Sequence, residues 1–461
     1  MTRSWNRRTL LKTAAGSSAG ALLGAHHLDA PGVLAQDPTP TPAPTPTPVS
    51  LGEGDISITM WVQDFGPSIE FFQKAAETYI AREPNVSVTV QAISYNDLLA
   101  KVLPSVAAGN EAEIIMGYTD WYVATDITRL FLSIDEYVGG KAELEKSLFP
   151  STLTTLTMPE DKVYYIPFAA GIRAAATTVN VKQCQEAGID YTAFASWDDL
   201  VAAGRELTVT EGGKITRAGL SPVTAQLSLV KTFIWQMGGE FYDAESGKWT
   251  FSTPEGEAAA QRLYDLFWDE SPTSSYDLIS IADEYTSFEQ GRVSMHLNGA
   301  WTVGVHEAVV PELDADAIPT PKLAEAQTDV VYPEHMAVAT LSRRLGDDEE
   351  KRQHAVGIVQ EMFKPDALLG QTHTYSGTLC SKELYADPRV LETKYGPVSK
   401  RIAEATWPRT RYPRNHVANP APAQTELDRG LRKEISITEA LANIDEYLND
   451  QEEQARERIG G

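Results

Sequence analysis

Ile56-Ser57-Ile58-Thr59-Met60-Trp61-Val62-Gln63, Val86-Ser87-Val88-Thr89-Val90 and Ile114-Ile115-Met116-Gly117 are the stretches whose spacing decides the fold. In the first, Ile56, Ile58, Met60 and Val62 recur at the period of two that a half-buried strand requires. Pro67 then opens a helix whose Ile69, Phe72, Ala76, Tyr79 and Ile80 share a face, and a second helix from Asn96 to Ala108 is stopped by Gly109. Three strand–helix units in about seventy residues predict a parallel sheet. In such sheets the loops leaving the carboxyl ends of the strands line a ligand crevice. Here those loops are Gln63-Asp64-Phe65, Ser94-Tyr95 and Tyr118-Thr119-Asp120-Trp121.

Downstream the same grammar continues. A strand ends at Asn180, Gly188 stops a short helix, Ser196 with Asp199 caps another, Thr253-Pro254 opens a third, and Val293 to Leu297 reads as a strand. A strand from Met336 to Leu341 and a helix from Glu350 to Phe363 follow, and Ser436 with Glu439 opens a last helix carrying Leu441, Ile444, Tyr447 and Leu448. No internal repeat is present, which excludes solenoids and propellers.

Upstream, Arg3, Arg7, Arg8 and Lys12 form a basic head before a small apolar run from Thr13 to Leu28, the pattern of an export signal over residues 1–35. Asn6-Arg7-Arg8-Thr9-Leu10-Leu11-Lys12 resembles the twin-arginine motif, with an ordinary secretory signal as the alternative. Residues 36–54 hold alternating Thr and Pro, a polyproline II spacer, and the folded region is expected from Asp55.

Composition narrows the function. The 461 residues are 42% hydrophobic and 22% charged, so the chain is globular rather than disordered or fibrous. With 39 Lys+Arg against 64 Asp+Glu the net charge is −25, which opposes the phosphate attraction nucleic-acid binding needs, so no nucleic-acid partner is expected. Cys184 and Cys380 are either two buried thiols or one long-range disulfide. Gly16-Ser17-Ser18-Ala19-Gly20, the one nucleophile-elbow pattern, falls inside the export signal. No P-loop, strand-anchored GxGxxG or HExxH occurs. No metal and no cofactor are expected, and the chain reads as a non-enzyme, with a carboxylate-pair glycosidase as the catalytic alternative.

Several segments, taken in order, resemble the extracytoplasmic sugar-binding proteins of ABC importers, the maltose-binding-protein-like family. They include Ile58-Thr59-Met60-Trp61, Ala107-Ala108-Gly109 leading into Glu113-Ile114-Ile115, and Tyr165-Ile166-Pro167-Phe168 before Val179-Asn180. Further on stand Ser196-Trp197-Asp198-Asp199-Leu200, Trp235-Gln236-Met237-Gly238-Gly239-Glu240, Phe288-Glu289-Gln290-Gly291-Arg292-Val293 and Asn298-Gly299-Ala300-Trp301. The family has Pro-Asp where this chain has Ala112-Glu113, and Tyr-Asn at Val179-Asn180.

The resemblance implies an α/β, two-lobed periplasmic-binding-protein fold (type II-like), with the chain crossing the hinge more than once. Lobe 1 would hold residues 55–168 and 313–386, lobe 2 residues 169–312 and 387–456, with crossings near Ala169-Ala170-Gly171 and Ile318-Pro319. It implies a small-molecule carbohydrate trapped between the lobes and delivered to ABC transporter permease subunits, by a monomer that touches the membrane only through the transporter. Polyamines, peptides and glycerol phosphates are the other solutes carried on related folds.

By the same resemblance Trp301 falls where the family places a sugar-stacking aromatic, the other reading being core packing. Asp120 matches a carboxylate that accepts from sugar hydroxyls, or else is a solvated loop acid or helix cap. Arg173 falls just past the hinge, as a ligand contact or an interlobe salt bridge. Gln63 and Asp64 leave the first strand at the cleft, whereas Trp61 reads as core. Tyr118, Trp121, Gln226, Trp235, His335 and Tyr375 complete the candidates. Replacing both Arg7 and Arg8 by Lys is expected to strand the precursor in the cytoplasm, checked by fractionation and immunoblotting; unchanged export would assign the general secretory route.

Overall fold

The computed structural model describes residues 47–122, 127–152, 157–158, 162–171, 174–333, 335–409 and 423–459. Twelve strands build the two large sheets, and in chain order the first five of them are β1 (Val49–Leu51), β2 (Ile56–Gln63), β3 (Val86–Ile93), β4 (Ile114–Tyr118) and β5 (Ile166–Gly171). The next five are β6 (Ala176–Asn180), β7 (Val209–Glu211), β8 (Lys214–Ser221), β9 (Val293–Asn298) and β10 (Ala315–Pro319), followed by β11 (His335–Leu341) and β12 (Thr378–Leu379). One sheet has the order β1-β3-β2-β4-β11-β5-β12, the other β10-β6-β9-β8-β7. Each sheet with its helices makes one lobe of a two-lobed α/β fold.

The first lobe is built on β2, parallel to β3 on one side and β4 on the other. Side chains of β3 alternate between buried and half-buried as the sequence alternates. The helix Gly66–Ile80 starts on Pro67, whose missing N–H is no loss in the first turn, and buries Phe71, Phe72, Ala75 and Ala76. That face is turned slightly from the expected one, and Ile69, Tyr79 and Ile80 lie at its margin. Ser94 caps the helix Tyr95–Ala108, and Gly109 ends it in the left-handed region at φ 68.

The sheets are mixed rather than parallel. β11 runs antiparallel between β4 and β5, and β12 closes the edge antiparallel to β5. In the second sheet only β8 and β9 are parallel, while β6 and β7 run against their neighbours. Two boundaries also differ from expectation. Val49–Leu51, assigned to the spacer, pairs with β3 through Val49↔Val90 and Leu51↔Val88, so the ordered sheet begins before Asp55. Residues from 313, assigned to lobe 1, place β10 beside β6 in the second sheet, and Leu323 and Tyr332 bond to Gln236 and Thr232 of the same lobe. The return to the first sheet comes only at β11.

The capped helix Trp197–Leu207 has the full reciprocal box, Ser196 accepting from the Asp199 amide and Asp199 accepting from the Ser196 amide. The C-terminal helices Ala423–Leu431 and Ile437–Ile459 pack against Gln226–Gln236 and Pro254–Trp268, so the chain ends on the second lobe. Cys184 and Cys380 are free and buried. No helix among the described residues is long and apolar enough to cross a membrane.

The helix Trp197–Leu207 meets β8 glycine against glycine: a Cβ on Gly219 would stand 1.7 Å from the Gly204 carbonyl oxygen. Because the obstacle is backbone, it cannot rotate away. Gly219→Ala is expected to destabilise the second lobe by about 3 kcal/mol, measured as a lowered urea midpoint.

Candidate functional site

A cavity of about 310 Å³ opens between the two sheets. From the first lobe, β2 delivers Gln63 and, one turn later, Phe65; β3 leads to Tyr95; β4 ends on Tyr118. These are the carboxyl ends of three parallel strands, where the backbone leaves the sheet and its side chains are released toward the crevice. Gln371 and Tyr375 reach the same space from the end of the helix Pro365–Gln371 and the turn beyond it. The second lobe supplies Tyr285, on the helix Glu284–Glu289, and Trp301 with Val305, on the helix Trp301–Val309.

The wall is aromatic and held in place by its own contacts. Tyr95, Tyr118 and Trp121 form a triangle with ring centroids 5.3, 5.0 and 5.0 Å apart. Trp121 Nε1–H donates to the Tyr95 hydroxyl at 2.9 Å, and the Tyr118 hydroxyl donates to Gln63 Oε1. The second bond occupies the carbonyl end of Gln63 and leaves its NH₂ end as the donor. Phe65 meets Tyr375 edge-on at 6.0 Å. Burial pushes the Tyr375 phenol well above its usual pKa, so it remains a neutral O–H at any physiological pH.

Two aromatic rings lie flat against glycines. A Cβ on Gly299 would fall 1.6 Å from Cζ3 of Trp301, and one on Gly377 would fall 2.2 Å from Cζ of Tyr375. Only hydrogen at these positions lets each ring fold back over its own backbone and present the opposite face to the cleft.

Behind the second-lobe wall, Asn298 Nδ2 donates to the Tyr285 hydroxyl at 3.0 Å and to Thr224 Oγ1 at 2.9 Å. Thr224 in turn donates to Glu284 through its hydroxyl and, at 3.2 Å, through its amide. Ser221 Oγ and the Val223 amide complete the set on that carboxylate. Burial pushes the Glu284 carboxyl up to about 7, and these donors act against the rise.

Of the residues singled out from sequence, Gln63, Tyr118, Trp301 and Tyr375 line this one cavity. Trp121 is buried behind the wall and braces Tyr95. Asp64 is exposed at the end of β2 and does not line the cavity. Gln226 and Trp235 lie elsewhere: Gln226 is fully buried and bonds to the Tyr276 hydroxyl, and Trp235 packs on Phe241 and Tyr332 with its Nε1–H on Glu240. Both belong to the helix Gln226–Gln236, every residue of which is buried. Arg173 and the side chains of Asp120 and His335 lie outside the described residues.

Tyr285, Gln371 and Ser68 also line the cavity, and no motif marked them. Phe65 and Tyr95 stood in the loops named at the strand ends, and their aromatic character was the available signal. Another legible signal was an aromatic two residues from a glycine, Gly299 with Trp301 and Tyr375 with Gly377. Gln371 is 4% exposed, and its Oε1 is buried with no hydrogen-bond partner. Among the described residues no three His, Cys, Asp or Glu side chains converge as a metal site would need.

Two mixed α/β lobes facing each other across a crevice whose described lining is aromatic and uncharged define the class of two-lobed binding proteins. The family model for bacterial extracellular solute-binding proteins matches residues 66–340, more than half of the chain, and the chain belongs to that family. Family and fold are those of binding proteins rather than enzymes. A binding protein of Brucella abortus is 25% identical over 265 residues, 57% of this chain, and the match spans only 61% of that relative's length. Among solved structures, the cyclic alpha-maltosyl-1,6-maltose binding protein of Arthrobacter globiformis is similar with a TM-score of 0.68 at 19% identity, over 86% of this chain and 99% of the other. UgpB of Mycobacterium tuberculosis, in complex with glycerophosphocholine, is similar with a TM-score of 0.71 at 15% identity, over 87% and 99% of the two chains.

Gly299→Ala is expected to evict the Trp301 indole from its seat. The near-ultraviolet circular dichroism should change, and urea unfolding should report a loss of about 1–3 kcal/mol.

Proposed function

We propose that this chain is an exported, monomeric solute-binding protein that captures a carbohydrate in the interlobe cleft and hands it to the permease subunits of an ABC importer. One observation carries the reading: the described cavity wall holds aromatic rings, tyrosine hydroxyls and amides, and no acid, Lys, Arg or His. Neutral polyols suit such a wall. Their hydroxyls both donate and accept, as Gln63, Tyr285 and Gln371 do, and the axial C–H face of a pyranose lies against an indole with good dispersion contact. A phosphodiester or a polyamine, by contrast, brings a full charge that these side chains do not neutralise.

Binding without chemistry follows from the two-sided wall. A ligand held by Gln63 and Tyr118 on one lobe and by Trp301 and Tyr285 on the other favours the closed state by its differential affinity, and the transporter reads that state. Selectivity arises because a sugar that leaves a buried group such as Gln371 Oε1 unpaired forfeits about 1–3 kcal/mol. The basic head and apolar run of residues 1–35 support export, with Arg7 and Arg8 supporting the twin-arginine route.

A thermal-shift screen of the mature protein against neutral mono- and oligosaccharides, with glycerophosphocholine and spermidine beside them, is expected to give shifts with sugars alone. A shift with glycerophosphocholine alone would replace the carbohydrate reading. For the sugar that responds, Trp301→Ala should cost about 2–4 kcal/mol of binding. That is roughly 30- to 1000-fold in affinity by calorimetry, with the unliganded melting temperature little changed. A large loss of unliganded stability with near-native affinity would instead make Trp301 a core residue.

A further inference from the structure

Beneath the second-lobe wall lies a buried acid–base cluster that solute capture does not by itself require. His296 on β9 and His306 on the helix Trp301–Val309 are both fully buried, with Nε2 to Nε2 at 3.0 Å. His306 Nδ1 stands 3.0 Å from Glu289 Oε1, and because a carboxylate only accepts, Nδ1 carries the proton. In neutral imidazoles His306 Nε2 is then the acceptor, and His296 Nε2–H the donor. His296 Nδ1 is left as a bare lone pair, buried and without a hydrogen-bond partner, 3.9 Å from Glu284 Oε2. That distance is too long for a hydrogen bond, and one proton placed between the two would draw them together.

Glu284 is also the anchor of the ligand-facing wall. Its Oε2 accepts from the Thr224 amide and hydroxyl. Asn298 joins Thr224 to the Tyr285 hydroxyl, and Asn298 Oδ1 accepts from the Gly299 amide at 2.9 Å. A movement of Oε2 toward His296 is therefore passed through Thr224 and Asn298 to Tyr285 and to the Gly299 seat of Trp301.

Two further carboxylates face the cluster: Glu289 holds His306 Nδ1, and Asp283 lies near enough for its charge to favour a proton on His306. The helix Glu284–Glu289 and its cap contribute Asp283, Glu284, Tyr285 and Glu289; Phe288 covers both imidazoles, its ring 4.9 and 4.6 Å from theirs. On the sheet, the register neighbours of His296 are Thr178 and Ser221, both uncharged. From its own helix His306 is the facing group, while Glu307 is turned to Lys394 and Tyr395.

We propose that Glu284 and His296 take up one shared proton in acid, and that the shared proton unseats Tyr285 and Trp301, so that the cleft holds its solute near neutrality and releases it in acid. The proposal rests on this cavity being the solute site. Burial raises the Glu284 carboxyl to about 7, while burial, with the neighbouring His306, lowers His296 well below the usual imidazole range. Above neutrality the pair is a carboxylate beside a neutral imidazole, the arrangement that leaves all four donors on Glu284. As pH falls through 7 the carboxylate is the first to attract the proton, which the lone pair of His296 then shares, so the titration belongs to the pair. The unfolded chain takes up its own proton on the ordinary imidazole of His296 near 6.5, close to the value of the folded pair, so folding tolerates the one-proton form and the effect is read in the cleft.

The test uses the unliganded mature protein labelled with 5-fluorotryptophan, so its outcome is independent of which solute binds. The fluorine resonance of Trp301, assigned by its absence in Trp301→Phe, is followed from about pH 7.5 to about pH 5. A single pH-dependent step is expected, lost in His296→Gln and in Glu284→Gln; either variant that folds at pH 7.5 suffices. A resonance that does not move with pH, or a step that survives in a folded His296→Gln protein, overturns the proposal.

Discussion

The parallel register of β2 and β3, with Ile56 opposite Val86 through to Gln63 opposite Ile93, is the constraint on which the first lobe's cleft wall depends. It brings both strands to their carboxyl ends at the same level, so that Gln63 and Tyr95 leave the sheet side by side. β4, paired through Met60↔Ile114 and Trp61↔Ile115, brings Tyr118 to the same edge. A slip of one residue would turn Ile58, Met60 and Val62 off the core face and carry Gln63 away from the Tyr118 hydroxyl. The alternation of apolar residues along β3 makes that slip expensive, because several buried side chains would be exposed at once.

The second lobe solves the same problem with a buried carboxylate. Glu284 accepts from four donors at the end of β8 and in the loop after it, and through Thr224 and Asn298 it fixes where Tyr285 and the helix carrying Trp301 stand. A buried charge is tolerable only when its lone pairs are satisfied, and here its satisfaction and the shape of the cleft are one arrangement. Removing Glu284 would leave the two amides without their acceptor as well as loosening the wall.

What the sequence made legible follows from how local each signal is. Strands β2 to β4, the Pro67 helix start, the Ser196 cap and the Gly109 stop each depend on residues a few positions apart, and each appears where it was read. Gln63 and Tyr118 were placed from strand ends and Trp301 from the family resemblance, and all three reach the cavity. Gln226 and Trp235 were harder, because their helix is buried on every side and its sequence offers no periodicity to separate a cleft face from a core face. Tyr285 and Gln371 reach the cavity from the helices Glu284–Glu289 and Pro365–Gln371, whose positions are set by contacts far away in sequence. The antiparallel insertion of β11 was unreadable for the same reason, since its partners β4 and β5 precede it by most of a lobe.

That insertion also orders events in time. β4 ends at Tyr118, yet its neighbour β11 begins only at His335, with the whole second sheet between them in the chain. At about 5–20 residues per second, ribosomes need on the order of 10–40 s to deliver the missing strand. During that interval the inner edge of β4 has its backbone donors and acceptors uncovered, in the way that invites pairing with a second nascent chain. The second sheet, contiguous from β6 to β10, is complete before the first. Chaperone dependence in this protein should therefore belong to the N-terminal half of the chain, although that half is the first to be made.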